Sequence, residues 1–249
     1  AFKRGVARLK KLGHEVELDA DALSSFTRFA GDDTTRLNAI HRAAASGADV
    51  ALISRGGYGL TRILPHIKYK TVAKAVAKGT QFVGLSDFNA FQNALLAQTG
   101  ALSWAGPALA EDFGAEQPDD IMEACFDDMV SGQGEGAGWR LSMPCVTALA
   151  QRRPGVWAQD AVLWGGNLAV LVSLLGTPFF PQIINGVLFL EDVGEHPYRI
   201  ERMLTQLLHA GVLAQEKAVV LGQFNGYKLT PHDKGFKLQS VIDWLRTQI

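Results

Sequence analysis

The chain has 249 residues, 47% of them hydrophobic, so it can bury a sizeable core as one large domain or two small ones. Its formal net charge of −1 offers no broad attraction to nucleic acid or a membrane surface, and no apolar run approaches the roughly 20 residues that a membrane helix needs. The two cysteines, Cys125 and Cys145, stand far from any Cys-x-x-Cys spacing, which argues against a disulfide framework and against a zinc site.

Val6, Leu9 and Leu12 share one face of an opening helix that Gly13 ends, and 15–18 reads as a short strand. No strand precedes that helix, and the pattern Leu238, Val241, Ile242, Leu245 completes another helix just as the chain stops at Ile249; both ends therefore read as cut. Residues 19–33 are mostly polar, with Phe26, Phe29 and Gly31 suggesting a loop folded over something. Thr34 or Thr35 can cap a helix carrying Leu37, Ile40 and Ala44 and closed by Gly47. Residues 49–54 form a near-continuous apolar strand, of the kind buried on both faces of a parallel sheet.

That strand runs into Arg55-Gly56-Gly57-Tyr58-Gly59. Three glycines in four residues imply backbone conformations that other residues resist, or a close ligand approach; a plain tight turn competes with that reading. The Gly-Gly-x-Gly spacing lacks the acidic residue of a dinucleotide fingerprint, and no Gly-Lys-Ser/Thr follows to make a P-loop. A helical stretch from Leu60 leads through Pro65, and another with Val72, Ala75 and Val76 ends at Gly79.

Residues 81–91 hold the central feature: a buried strand turning into a helix that continues to about Gln98, with Ser86 at the join. A serine there can hold its hydroxyl clear of the sheet at the positive end of a helix, as a nucleophile requires. Ser is also a preferred N-cap, so the turn alone leaves both readings open. Alternating strands and helices with short Gly-marked connections indicate a Rossmann-like parallel α/β layer, in which ligands collect at the carboxyl ends of the strands. Arg55–Gly59 and Ser86 both lie at such ends.

From Ala110 the character shifts: an acidic loop, a short helix over 121–130, a Gly-rich turn over 132–138 and a break at Arg152-Arg153-Pro154-Gly155. A second α/β lobe opens with a strand at 161–164, then Gly165-Gly166-Asn167 and an apolar helix over 168–175. A strand at 187–190 delivers Glu191 and Asp192 at its carboxyl end, and Pro197 starts a helix with Ile200, Met203, Leu204, Leu207 and Leu208 on its apolar face. A strand at 218–221 and a polar loop precede the last helix. The expected organisation is an N-terminal nucleophile lobe over 1–112, a linker and irregular excursion over 113–160, and a C-terminal lobe over 161–249.

Several segments, taken together, resemble the LD-carboxypeptidase family of serine peptidases, which includes the muramoyltetrapeptide carboxypeptidases and the microcin-immunity peptidases. They are Arg55–Gly59, Gly84-Leu85-Ser86-Asp87, Leu163-Trp164-Gly165-Gly166-Asn167-Leu168, Gly176-Thr177-Pro178, and Phe189-Leu190-Glu191-Asp192-Val193 with the run from Pro197 to Leu204. The resemblance spans essentially the whole chain, in order. It implies hydrolysis of an L,D peptide bond, removing the terminal D-alanine of a murein tetrapeptide during cytoplasmic cell-wall recycling, by a Ser-His-Glu triad without metal or cofactor in a homodimer. It points to Ser86 as nucleophile, to Glu191 as triad acid, to the Gly57 and Asp87 amides as oxyanion donors and to Asn167 as a substrate contact. The chemistry suits these residue types: a serine needs a base, the base an orienting acid, and the oxyanion preorganised N–H donors.

Two departures stand out. The fifth position of the serine turn, a glycine in the common hydrolase elbow, is Phe88, as this family's own pattern allows. The family's histidine lies in a Gly-His segment beyond the last helix, so the base is expected beyond Ile249. Of His14, His41, His66, His196, His209 and His232, only His232, in a polar loop after a strand end, is a candidate substitute; His196 caps the next helix or lines the cleft. A non-catalytic peptide-binding homologue, a peptidase for microcin-type conjugates and a nucleotide-binding α/β protein are the competing functions, the last disfavoured by the missing phosphate fingerprints.

Overall fold

A computed structural model describes residues 1–134, 136, 138 and 158–249. Two three-stranded parallel sheets organise them. The first has β1 (Val50–Leu52), β2 (Gln81–Gly84) and β3 (Trp104–Ala105) in the order β1-β2-β3. The second has β4 (Leu163–Asn167), β5 (Val187–Val193) and β6 (Ala218–Asn225) in the order β4-β5-β6. Among the described residues the helices are α1 (Phe2–Lys11), α2 (Asp33–Ser46), α3 (Tyr69–Ala77), α4 (Phe88–Thr99), α5 (Asp120–Ser131), α6 (Leu168–Leu174), α7 (Pro197–His209) and α8 (Leu238–Arg246). The mixed α/β class and parallel pairing read from the sequence are those observed, and no described helix is long and apolar enough to cross a membrane.

Helix ends follow local chemistry. Asp32, rather than Thr34 or Thr35, caps α2 by accepting from the Thr35 N–H at 2.7 Å, and Gly47 ends it in the left-handed region. Gly132 closes α5 in the same way, so the start of the Gly-rich turn is a helix stop; part of that turn and the break at 152–155 lie outside the described residues. Pro197 stands at the first position of α7, with His196 as its cap.

Some expectations fail for physical reasons. Residues 15–18 join no ladder; Val16 packs on the α1 cluster instead. The stretch from Leu60 forms two 3₁₀ turns, Leu60–Arg62 and Leu64–His66, since Pro65 supplies no N–H and disfavours α geometry at the residue before it. The two-residue strand β3 carries no alternation to read, and β6 runs four residues past its expected end.

The centre of the molecule is α4. Its residues from Phe88 to Leu95 are all buried, so it is covered on every side. Phe91, fully buried, packs on Phe82 and Phe88, and one apolar cluster continues from β2 and α3 through α4 to Trp164, Leu168, Leu188 and Ile200. Burying a side chain such as Phe91 contributes roughly 1.5–3 kcal/mol. The helix that begins beside Ser86 is thus held by both sheets.

Candidate active site

Ser86 lies two residues past the end of β2 and adopts φ 60°, a left-handed conformation uncommon for a residue with a side chain. Its neighbours explain how the chain makes that turn. A Cβ on Gly84 would lie 2.6 Å from the Phe88 ring and 2.9 Å from Ile53, so a bare Cα is needed where Phe88 folds back on the strand. The bulky fifth position is accommodated because its ring stacks on Phe91, with centroids 4.9 Å apart. The helix cap is Asp87 rather than Ser86, and no side chain caps that end. Ser86 is exposed, and among the described residues its hydroxyl has no hydrogen-bond partner. A capping role does not account for it.

The glycine turn meets this serine. A Cβ on Gly56 would fall 2.9 Å from Ser86 Cβ and 3.4 Å from its Oγ. Gly57 is exposed at φ 140° with open space beside it, and neither its N–H nor that of Asp87 has an acceptor among the described residues. The turn is held from two sides. Asp87, 8% exposed, accepts from the Leu60 N–H at 2.9 Å and from Gly59, while Arg36 Nη1 donates to the Gly59 carbonyl at 2.9 Å. Arg36 also pairs with Asp33 and lies 4.6 Å over the Phe29 ring, which covers Gly59. The loop expected to fold over something therefore folds over this turn. Burial pushes the Asp87 carboxyl up; the Leu60 and Gly59 amides and the Arg36 charge oppose that.

Glu191 sits near the end of β5, opposite Asn167 in the ladder with β4. On its other side the β5–β6 register shifts between Leu190 and Asp192, so β6 bulges beside it, where a Cβ on Gly222 would lie 3.3 Å from Glu191 Cβ. Bulges re-aim side chains at site edges. Burial raises the Glu191 pKa, the Asp192 charge adds to this, and the Asn167 side chain opposes it. Asp192 is 4% exposed and accepts from Asn167 Nδ2 at 3.1 Å and from the Ala169 and Val193 amides at 2.9 and 2.8 Å. Burial raises its pKa against those three donors.

Asn167 carries more than the sequence reading assigned to it. Its Oδ1 caps α6 by accepting from the Val170 N–H at 3.0 Å, its Nδ2 donates to Asp192, and its own N–H donates to Asn89 Oδ1 at 2.9 Å. The histidines are placed elsewhere. His196 caps α7 and contacts Asp233 at 3.3 Å, His41 accepts from the Lys68 N–H, and His232 is exposed. Among the described residues none hydrogen-bonds to Ser86 or Glu191.

A family model described as the LD-carboxypeptidase N-terminal domain matches residues 1–106, and one described as the LD-carboxypeptidase C-terminal domain matches residues 160–248. A protein of Bacillus subtilis (strain 168) named "Probable murein peptide carboxypeptidase" is 29% identical across 94% of this chain and 71% of its own. The Escherichia coli "Microcin C7 self-immunity protein MccF" is 25% identical across 97% of this chain and 76% of its own. The crystal structure of muramoyltetrapeptide carboxypeptidase from Oxalobacter formigenes superposes with a TM-score of 0.87 at 36% identity, covering 100% of this chain and 80% of that one.

Proposed function

This chain belongs to the LD-carboxypeptidase family, and on that premise we propose that it is a serine peptidase releasing the terminal D-alanine of a murein tetrapeptide. Ser86 Oγ attacks the carbonyl of the L,D bond while its proton passes to a base. The oxyanion is met by the Gly57 and Asp87 amides, D-alanine leaves with the proton, and water hydrolyses the acyl-enzyme. Glu191 orients the base, a histidine that the family pattern puts after Ile249. Asn167 contacts the peptide. The enzyme needs no metal or cofactor and works as a cytoplasmic homodimer in cell-wall recycling.

The observation that carries this reading is Ser86 itself: exposed, in the left-handed region, with an unengaged hydroxyl against a glycine turn. Strain of about 1–3 kcal/mol at such a residue persists where the surrounding structure holds it, and it clusters at functional sites. The murein peptide follows the names of the Bacillus and Oxalobacter relatives. The E. coli relative supports a second substrate class, a microcin-type peptide conjugate. Because no histidine bonds to Ser86 among the described residues, a non-catalytic peptide-sequestering role is the other alternative.

The test is release of D-alanine from L-Ala-γ-D-Glu-meso-diaminopimelate-D-Ala by the protein carrying whatever natural residues flank 1 and 249. Ser86→Ala should abolish release with the fold intact. Wild-type turnover in that variant refutes the nucleophile. Saturable tetrapeptide binding without turnover in the wild type supports sequestration instead, and turnover of the microcin-type conjugate alone supports the second substrate.

A further inference from the structure

We infer that Asn89 is a positioning residue whose side chain sets the separation between the nucleophile turn and the strand bearing Glu191. The inference rests on the roles proposed for Ser86 and Glu191 and adds a residue to which the sequence drew no attention. Asn89 lies in the first turn of α4 and is 4% exposed. A buried amide costs several kcal/mol unless its groups are bonded, and here they are. The Asn89 backbone N–H donates to the Ser86 carbonyl at 2.9 Å, its Oδ1 accepts from the Asn167 N–H at 2.9 Å, and its Nδ2 donates to Gln92. From Asn167 the line continues through Nδ2 to Asp192, the residue after Glu191. Asn167 is also the ladder partner of Glu191.

The contact has little freedom. A Cβ on Gly166 would lie 2.7 Å from the Asn89 amide, so the β4 backbone rests directly on that side chain. Two further buried amides of α4 bind backbone on either side. Gln92 Nε2 donates to the Trp104 carbonyl at 2.8 Å, and Asn93 Nδ2 donates to the Gly165 carbonyl at 3.0 Å. Apolar side chains of equal volume would fill this seam and let one sheet slide on the other. Directional hydrogen bonds in a low-dielectric interior fix the register. Attack by Ser86 on a carbonyl, with a base oriented by Glu191, tolerates little sliding: a displacement of about 1 Å costs on the order of 10²-fold in rate.

The experiment compares Asn89→Ala and Asn89→Leu, the second keeping the volume without the hydrogen bonds, at a temperature where each is folded. The expected result is a fall in kcat for D-alanine release of more than about tenfold in both, with KM within about twofold of wild type. A packing role predicts recovery in Asn89→Leu, and wild-type kcat there overturns the inference. Amide hydrogen exchange in the wild-type protein supplies a second readout, independent of turnover and of whether either variant folds. The Asn167 N–H should exchange slowly, and rapid exchange at that amide in an otherwise protected β4 also overturns the inference. Ser86→Ala is assayed alongside. If it retains turnover, the catalytic assignment fails and the positioning role with it, whereas exchange at Asn167 still reports whether the bond exists.

Discussion

Gly56 and Ser86 are packed so closely that a side-chain carbon on the glycine would lie 2.9 Å from Ser86 Cβ. The two turns at the carboxyl ends of β1 and β2 therefore form one surface. A methyl group at 56 must push the serine turn aside, because the contact is with the first carbon of a short side chain on a constrained backbone. Gly56→Ala should lower kcat for D-alanine release by more than about tenfold while leaving far-ultraviolet circular dichroism unchanged, since small misplacements near the reacting atoms are costly. Wild-type turnover in this variant would show that the turn yields without disturbing Ser86.

The left-handed φ of Ser86 makes a stability prediction as well. Glycine adopts this conformation without a Cβ penalty, although it also loses more entropy on folding. The balance for Ser86→Gly is a gain of about 0.5–1 kcal/mol, a rise in Tm of roughly 1–4 °C for a chain of this size. Ser86→Ala keeps the Cβ and should melt near wild type. Both should lack turnover. Equal melting temperatures for the two variants would contradict the strain.

Glu191 predicts a pH dependence. Burial and the Asp192 charge raise its folded-state pKa, so the native protein holds this proton more tightly than the unfolded chain does. The associated stability is present below the ordinary glutamate range, near pH 4, and is lost as pH rises through the raised value. Glu191→Gln cannot ionise. Its Tm should match wild type at low pH and gain on it as pH rises toward neutrality, while its turnover falls sharply. A Tm difference independent of pH, measured by scanning calorimetry across that range, would rule this out.

The Gly59–Leu60 peptide is gripped at both ends, its N–H, on Leu60, by Asp87 and its carbonyl, on Gly59, by Arg36. Asp87→Asn presents one amide hydrogen pair toward the Gly59 and Leu60 donors and should cost about 1–3 kcal/mol, the penalty of leaving a buried donor unpaired. Arg36→Ala should also destabilise. Because both hold one peptide, the double variant should lose less than the sum, by at least about 0.5 kcal/mol in a denaturant-unfolding cycle. Strict additivity would mean that the two grips are independent.

Where the candidate residues fall on strands and turns was legible along the chain because it depends on local rules. A buried strand meeting a helix at Ser86, a strand running into three glycines, and Glu191 at the end of an apolar strand each follow from periodicity and from glycine punctuation over a few residues. Residues 15–18 alternate like a strand but join no ladder, because alternation supplies no partner, and β3 is too short to show a period. The role of Asn89 was beyond reach for a different reason. Asn89, Gln92 and Asn93 recur at i, i+3 and i+4, the spacing of a helix face turned to water. Only the tertiary structure lays the bare backbone of Gly165 and Gly166 against that face and converts polar side chains into buried donors and acceptors. Sequence pattern assigns polarity to a face; which neighbour meets that face is decided by long-range packing of a strand more than 70 residues away.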